Sequence, residues 1–305
     1  MVRRTAGVSS AVALVAVGVF APTAAQSAPA GPPTKQKAAK VKPGKLLTRS
    51  ATTTTTTDGQ LASALATCPA KAKAISGGFA TTFFATGGNV SDLQEVYESR
   101  RLGANAWRVS AARDSATPSG PALTITAFVY CRKGEAKIPE AAWSILIGGG
   151  AGVRGSATAN CPGAKKAISG GFAYNPPVYG IATENPAQHY ESYRSAPGSW
   201  TATLHNIGAS SRTLTSYAYC RAGKAPSEKS ATTAVPNGGG IATKLGSPAC
   251  TGKRTALGGG YRTNPPTATT SAPLVVGSAR AGKAWGVSAI SILGSGTIRS
   301  SAYCG

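Results

Sequence analysis

Apolar and polar residues alternate along many short segments of the chain. The clearest segment places five residues on one face, namely Leu123, Ile125, Ala127, Val129 and Cys131. Phe128 and Tyr130 lie on the opposite face. A period of two predicts β-strands, here with the cysteine face turned inward, and no long pattern of period 3.6 competes with it. The chain is therefore predicted to be all-β.

The alternating segments belong to a unit that occurs three times. Each copy begins with a Cys, continues to Gly-Gly-Phe or Gly-Gly-Tyr, then to Ser-x-Arg and a Trp, and ends in Tyr-Cys. The Arg, Trp and Tyr of the three copies are Arg101, Trp107 and Tyr130; Arg194, Trp200 and Tyr219; Arg280, Trp285 and Tyr303. We place the repeats at residues 51–134, 141–223 and 230–305. The Gly-Gly pairs predict a bend or bulge in a strand.

Each repeat contains one early and one late cysteine. This layout predicts three disulfides, Cys68–Cys131, Cys161–Cys220 and Cys250–Cys304. Closing loops of this size constrains the unfolded chain by roughly 4 kcal/mol in the entropy model. We expect three tandem, disulfide-stapled, small antiparallel β-sandwich-like repeats of five or six strands each. The pattern does not distinguish independent units from units that close around a pseudo-threefold axis, and the oligomeric state also stays open.

The N-terminal region has the pattern of an exported protein. Residues 1–30 combine Arg3-Arg4, an apolar stretch and small residues, which is typical of a secretory signal peptide. Residues 31–50 form a Lys-rich segment, which we interpret as a flexible leader. No later apolar stretch approaches the 20 or so residues of a membrane span. The sequence predicts a secreted, extracellular protein, in which disulfides are expected.

The charge balance is strongly basic. The chain has 32 Lys and Arg against 10 Asp and Glu, a net charge of +22, yet 42% of its 305 residues are hydrophobic. This composition excludes a disordered polyelectrolyte. Outside a cell, a basic surface attracts wall polymers, anionic polysaccharides, lipid headgroups or DNA, although it also serves solubility alone. The sequence contains no specific nucleic-acid motif.

Few residues have the chemistry of a catalytic or metal site. Carboxylate pairs for acid-base work exist on paper at Asp92, Glu95 and Glu98 or at Glu184 and Glu191, but the third repeat has no acid and a solvated loop is the better interpretation. The two histidines, His189 and His205, both lie in the second repeat and are interpreted as surface or edge residues. All six cysteines are assigned to disulfides, and none has the close Cys-x-x-Cys spacing of a zinc site. We predict no enzyme, cofactor or metal.

The repeat with Cys-Pro, Gly-Gly-Phe, Trp and Tyr-Cys resembles a repeat of secreted bacterial proteins, mostly from GC-rich Gram-positive genomes, that have no assigned activity. The resemblance covers about residues 51 to 305. It implies no functional residues.

The repeated side chains are the candidate binding residues. The three arginines and three tyrosines are the first choice, because alternation turns the tyrosines away from the cysteine face unless a neighbouring unit covers them. The three tryptophans are expected to pack on the disulfides, with stacking on sugar rings as the alternative. The leading hypothesis is a protein that binds the anionic cell envelope, such as a wall polymer or anionic polysaccharide, or an extracellular glycan. A coat or matrix component and a secreted enzyme inhibitor are the alternatives.

Overall fold

The computed structural model describes most of the chain after the predicted signal peptide. The described residues are 44–86, 89–115, 119–150, 152–175, 187–237, 242–263, 273–291 and 295–305, and the side chains of 84–93 and 114–120 are not described. The predicted signal peptide and most of the predicted leader therefore lie outside the described residues. Nineteen antiparallel strands run through the described part, so the all-β prediction is confirmed.

The strands follow the threefold repetition of the sequence. Repeat 1 contains β1 Leu46–Thr57, β2 Leu61–Thr67, β3 Ala72–Thr81, the short β4 Phe84–Thr86, β5 Asn89–Leu102, β6 Ala106–Ser115 and β7 Ser119–Lys133. Repeat 2 contains β8 Glu140–Ile147, β9 Val153–Asn160, β10 Lys166–Tyr174, β11 Ala187–Ala196, β12 Ser199–Asn206 and β13 Arg212–Arg221. Repeat 3 contains β14 Ser227–Val235, β15 Thr243–Gly246, β16 Ala256–Thr263, β17 Leu274–Ala281, β18 Ala284–Ile290 and β19 Gly296–Cys304. β1 begins inside the predicted leader, so the last residues of that segment are strand.

The inward faces match the alternation in the sequence. The face of β7 that ends at Cys131 is buried, and so are the strand faces that start at Trp107, Trp200 and Trp285. The three predicted disulfides are confirmed, with Cα atoms 5.7, 5.6 and 5.6 Å apart. Each disulfide joins the loop after the second strand of a repeat to the last strand of the same repeat, and so ties the two halves of one sandwich.

Each repeat divides its strands between two sheets. Sheet I has the order β1-β7-β3-β17-β18-β15, sheet II the order β2-β6-β5-β10-β13-β8 with β4 beside β5, and sheet III the order β14-β19-β16-β11-β12-β9. Repeat 1 thus connects sheets I and II, repeat 2 connects sheets II and III, and repeat 3 connects sheets III and I. The three repeats close into a ring with pseudo-threefold symmetry, which is the second of the two arrangements that the sequence left open.

The Gly-Gly pairs allow close packing at the centre of this ring. A Cβ atom on the first glycine, Gly170, would lie 2.2 Å from the Trp200 ring, and one on the second, Gly171, would lie 2.3 Å from the Ser99 carbonyl oxygen of repeat 1. The strand bulges before the pair, where the register shifts between Ala167 and Ser169. The bulge therefore lies before the glycines and not at them. The glycines instead leave room for the Trp200 ring and for the neighbouring strand.

Candidate functional site

The nine candidate Arg, Trp and Tyr residues lie at the three junctions between repeats. The tryptophans are each 1% exposed, Tyr130 is 1% exposed, and Tyr219 and Tyr303 are fully buried. The prediction that the tyrosines are exposed is wrong, because a Trp and an Arg of the neighbouring repeat cover the face that alternation turns away from the cysteine. The expected packing of the tryptophans in the core is confirmed.

The junction between repeats 1 and 2 shows how the motifs fit together. The Trp107 indole donates a hydrogen bond to Ser99 Oγ at 3.0 Å, and the Trp107 ring meets the Tyr219 ring edge to face at 5.5 Å. The Tyr219 hydroxyl accepts the Arg101 backbone N–H at 2.6 Å. The Arg101 guanidinium lies 4.4 Å from the centre of the same ring and donates to the Ile138 carbonyl at 2.9 Å. Ser-x-Arg and Trp of one repeat thus form a socket for the Tyr of the next.

The other two junctions repeat this socket. Arg194 N–H donates to the Tyr303 hydroxyl at 2.7 Å, and Arg280 N–H donates to the Tyr130 hydroxyl at 2.6 Å. The corresponding guanidinium groups lie 4.4 and 5.7 Å from the tyrosine ring centres. Burial raises the pKa of Tyr130 to about 12. The socket tyrosines are therefore neutral residues of the joints, and the last junction closes repeat 3 onto repeat 1.

The space on the pseudo-threefold axis is too small for a ligand. It is bordered by Gly-Gly pairs, the aromatic residues that follow them, and the Ser and Trp of all three repeats. Its volume is about 20 Å³, which is room for one water molecule.

The carboxylates considered for catalysis are engaged in ion pairs. Glu98 is 6% exposed on β5 and accepts hydrogen bonds from Arg100, Arg108 and Ser110 at 2.6 to 2.7 Å. Burial raises its pKa, but these donors outweigh burial and the net pKa is lowered. Glu191, also buried, pairs with two arginines. The expected solvated loop is wrong for both, because they are sheet residues neutralised by arginine.

Of the remaining candidates, Glu95 is buried and accepts a hydrogen bond from the Tyr174 hydroxyl at 2.6 Å. The Asp92 side chain and Glu184 lie outside the described residues.

Both histidines are buried, contrary to the predicted surface or edge position. His189 is 4% exposed, stacks on Phe172 with ring centres 3.4 Å apart, and shares a 2.7 Å hydrogen bond with the Tyr261 hydroxyl. Burial lowers the pKa of His189 to about 3. His205 is 9% exposed and shares a 3.0 Å hydrogen bond with Tyr190. The two imidazole rings are therefore packed in the protein interior, where each is hydrogen-bonded to a tyrosine.

Much of the exposed, unpaired positive charge belongs to lysine. Each ion pair between described side chains uses an arginine, and the carboxylates of Glu98, Glu135 and Glu191 each hold two of them. Within the same part of the chain no lysine makes an ion pair. Most of these lysines are exposed: Lys45, Lys71, Lys133, Lys137, Lys224, Lys229, Lys244, Lys253 and Lys283. At least five of the six described glutamates pair with arginine, and the lysine charge faces solvent.

One exposed aromatic residue was missed by the repeat analysis. Trp143 on β8 is 61% exposed, and its neighbour Leu146 is 72% exposed. Trp143 pairs with Ser216, and the register-equivalent residues of the other repeats are Ala51 and Ala231. A comparison of the three first strands would have singled out this Trp, because only repeat 2 has a large side chain there.

In the part of the chain that the structure describes, no helix could span a membrane and no group of His, Cys, Asp and Glu could hold a metal ion. Neither a scan against protein-family models nor a search of curated proteins found a match to this chain.

Proposed function

We propose that the protein is a secreted, non-enzymatic binder of anionic polymers of the cell envelope or of extracellular glycans. The observation that carries this proposal is the exposed, unpaired lysine charge on a rigid, disulfide-stapled ring. Such a surface attracts polyanions over about 10 Å at 0.1 M salt, and the attraction falls as salt rises. The three disulfides are compatible with an extracellular location. The resemblance to secreted bacterial repeats stays a prediction.

A salt titration of polymer binding tests this function. The chain lacking its signal peptide is titrated with poly(glycerol phosphate), polygalacturonate and neutral dextran at about 0.05 and 0.5 M salt. We expect binding to the anionic polymers alone, and at least a tenfold loss of affinity at the higher salt. Equal binding to dextran, or binding indifferent to salt, would contradict an electrostatic function. A parallel sample that also lacks residues 31–43 measures how much of the binding belongs to the leader.

Assembly through sheet edges is a second candidate function. β2 and β8 are the two edges of sheet II, and both carry exposed apolar residues, namely Leu61, Leu65, Trp143 and Leu146. Open edges with apolar side chains favour pairing between molecules. Sedimentation at rising protein concentration tests this: we expect Trp143→Ser with Leu146→Ser to reduce association. A wild-type protein that stays monomeric at high concentration would remove the candidate.

A further inference from the structure

A basic pocket lies at the junction between repeats 3 and 1. Its volume is about 550 Å³, and it opens where the turn between β17 and β18 approaches the start of β1. Five cationic side chains line it, and none of its lining side chains is acidic: Lys45, Arg132, Lys253, Arg280 and Lys283. Arg132 pairs with Glu135 at 3.5 Å, which leaves four cations without a carboxylate partner in the described part of the chain.

One sequence difference beside the socket tyrosine distinguishes this junction from the other two. In each repeat, one residue of the first strand pairs directly with the socket tyrosine. These pairs are Glu140 with Tyr219, Glu228 with Tyr303, and Thr48 with Tyr130. Two junctions therefore place a carboxylate beside the tyrosine, and the third has a neutral hydroxyl.

At the first of these junctions the carboxylate contacts the arginine, whereas at the second Glu228 pairs with Arg299 at 3.1 Å and no described carboxylate lies within ion-pair distance of Arg194. Glu140 lies 3.7 Å from the Arg101 guanidinium, and Arg101 is 6% exposed. The charge of Glu228 opposes the lowering of the Arg194 pKa by burial. At the third junction the Arg280 guanidinium is only half-buried, and its partners are the Tyr130 ring and the Gly282 carbonyl at 2.8 Å. Arg280 is therefore the junction arginine that has no carboxylate at the register position beside its tyrosine.

We propose that the pocket between repeats 3 and 1 binds consecutive anionic groups of a polymer, with Arg280 at its inner side and Lys45, Lys253 and Lys283 at its rim. This inference rests on the proposed function and assigns it a site. Each phosphodiester or uronate group carries one negative charge, so four cations are matched by several such groups along one chain. The exposed lysines suit a flexible polymer, because an ammonium group is a compact point charge on a flexible stem.

The substitution Thr48→Glu tests the site with a residue that the fold already accepts at both other junctions. We expect the new carboxylate to pair with Arg280 and to weaken binding of poly(glycerol phosphate) roughly three- to fivefold at low salt. Thr54→Glu is the matched control, because it adds the same charge to an exposed position of the same strand, roughly 20 Å away. In a second test, Lys45, Lys253 and Lys283 are all replaced by Gln. Its control replaces three exposed lysines outside the pocket by Gln, namely Lys224, Lys229 and Lys244.

The outcomes separate the site from the function. A larger loss of affinity in Thr48→Glu and in the pocket lysine variant than in their controls supports the site. The same series with polygalacturonate shows whether carboxylates replace phosphates. Equal losses in variants and controls would overturn the site and leave general electrostatic binding intact. No binding by the wild-type chain would contradict the proposed function itself. Binding of glycerol phosphate monomer as tight as that of the polymer would overturn the requirement for consecutive groups.

Discussion

The socket tyrosines combine two interactions at each junction. Their hydroxyl groups accept a backbone N–H from the neighbouring repeat, and their rings carry that repeat's guanidinium group. Because the N–H of Arg101 donates to the buried Tyr219 hydroxyl, removal of that hydroxyl leaves a buried donor without a partner. Such a loss costs about 1–3 kcal/mol.

We therefore expect Tyr219→Phe to lower the free energy of unfolding by about 1–3 kcal/mol, measured by urea denaturation. Tyr217→Phe is the control, since Tyr217 lies two residues earlier on β13, is half-buried, and makes no hydrogen bond through its hydroxyl within the described residues. A change of less than about 0.5 kcal/mol in Tyr219→Phe would show that the joint does not depend on this hydroxyl.

The buried His189 gives repeat 2 a dependence on pH. Its pKa is about 3 in the folded protein, against 6.5 for an unperturbed imidazole. Between these values the unfolded chain binds a proton that the folded chain excludes, so stability falls as pH drops below about 6.5 and the effect is absent above it. At pH 5 this loss is about 2 kcal/mol.

We expect His189→Gln to flatten the pH dependence of unfolding between pH 7 and 5. The comparison uses the difference between wild-type and variant curves, because both proteins retain the carboxylates that also titrate in acid. Parallel curves for the two proteins would mean that His189 is not held neutral by the fold.

Among single residues, alternation predicted what faces inward within a repeat. It placed the cysteine face of β7 and the three tryptophans correctly. It failed for Tyr130, Tyr219 and Tyr303 because their covering residues lie 109 to 150 positions away along the chain. The two-residue period of a strand shows which residues share a face. It contains no information about which element covers that face.

At the scale of strands, each repeat packs its third strand closely against the strand that carries its tryptophan. Gly170 on β10 gives the Trp200 ring of β12 room to lie against the backbone, and Gly77 and Gly259 do the same for Trp107 and Trp285. A methyl group at any of the three would displace an indole that also donates to a serine.

We expect Gly170→Ala to destabilise the protein by about 2–3 kcal/mol or more, because the added Cβ would overlap the Trp200 ring. Gly246→Ala in β15 is the control, since a Cβ there meets nothing within 4 Å. Thermal unfolding of both variants checks this. A similar stability for the two would show that the indole moves aside at little cost.

The sequence pattern could not predict that strands of two repeats join in one sheet. The strand pairing between two repeats covers only two positions at each junction, such as Phe172 with Ser99 and Ala173 with Glu98. An alternating strand satisfies its hydrogen bonds and buries its apolar face equally well beside a strand of its own repeat or of another. The strands and disulfides were therefore predictable, and their assignment to sheets was not.

For the whole molecule, the basic pocket arises from closure of the ring. It combines Lys45, just before the first strand, with Lys253 and Arg280 from the last repeat, residues that are distant in sequence and that no motif connects. Net charge predicted a polyanion as partner, whereas the position of the pocket depends on which repeats adjoin. Its distinguishing residue, Thr48, lies within the segment interpreted as leader.

Closure also places Gly44, before the first strand, and Gly305, after the last, on the border of the same pocket. The described part of the chain thus forms a ring whose three joints share one architecture, and we expect that the chain break can be moved from one joint to another. We expect a circular permutant that joins 305 to 44 through a short Gly/Ser linker, and opens between Gly134 and Lys137, to form the same three disulfides and unfold cooperatively. A permutant opened at Gly170, inside β10, should not fold. The ring architecture would then be independent of which repeat comes first along the chain.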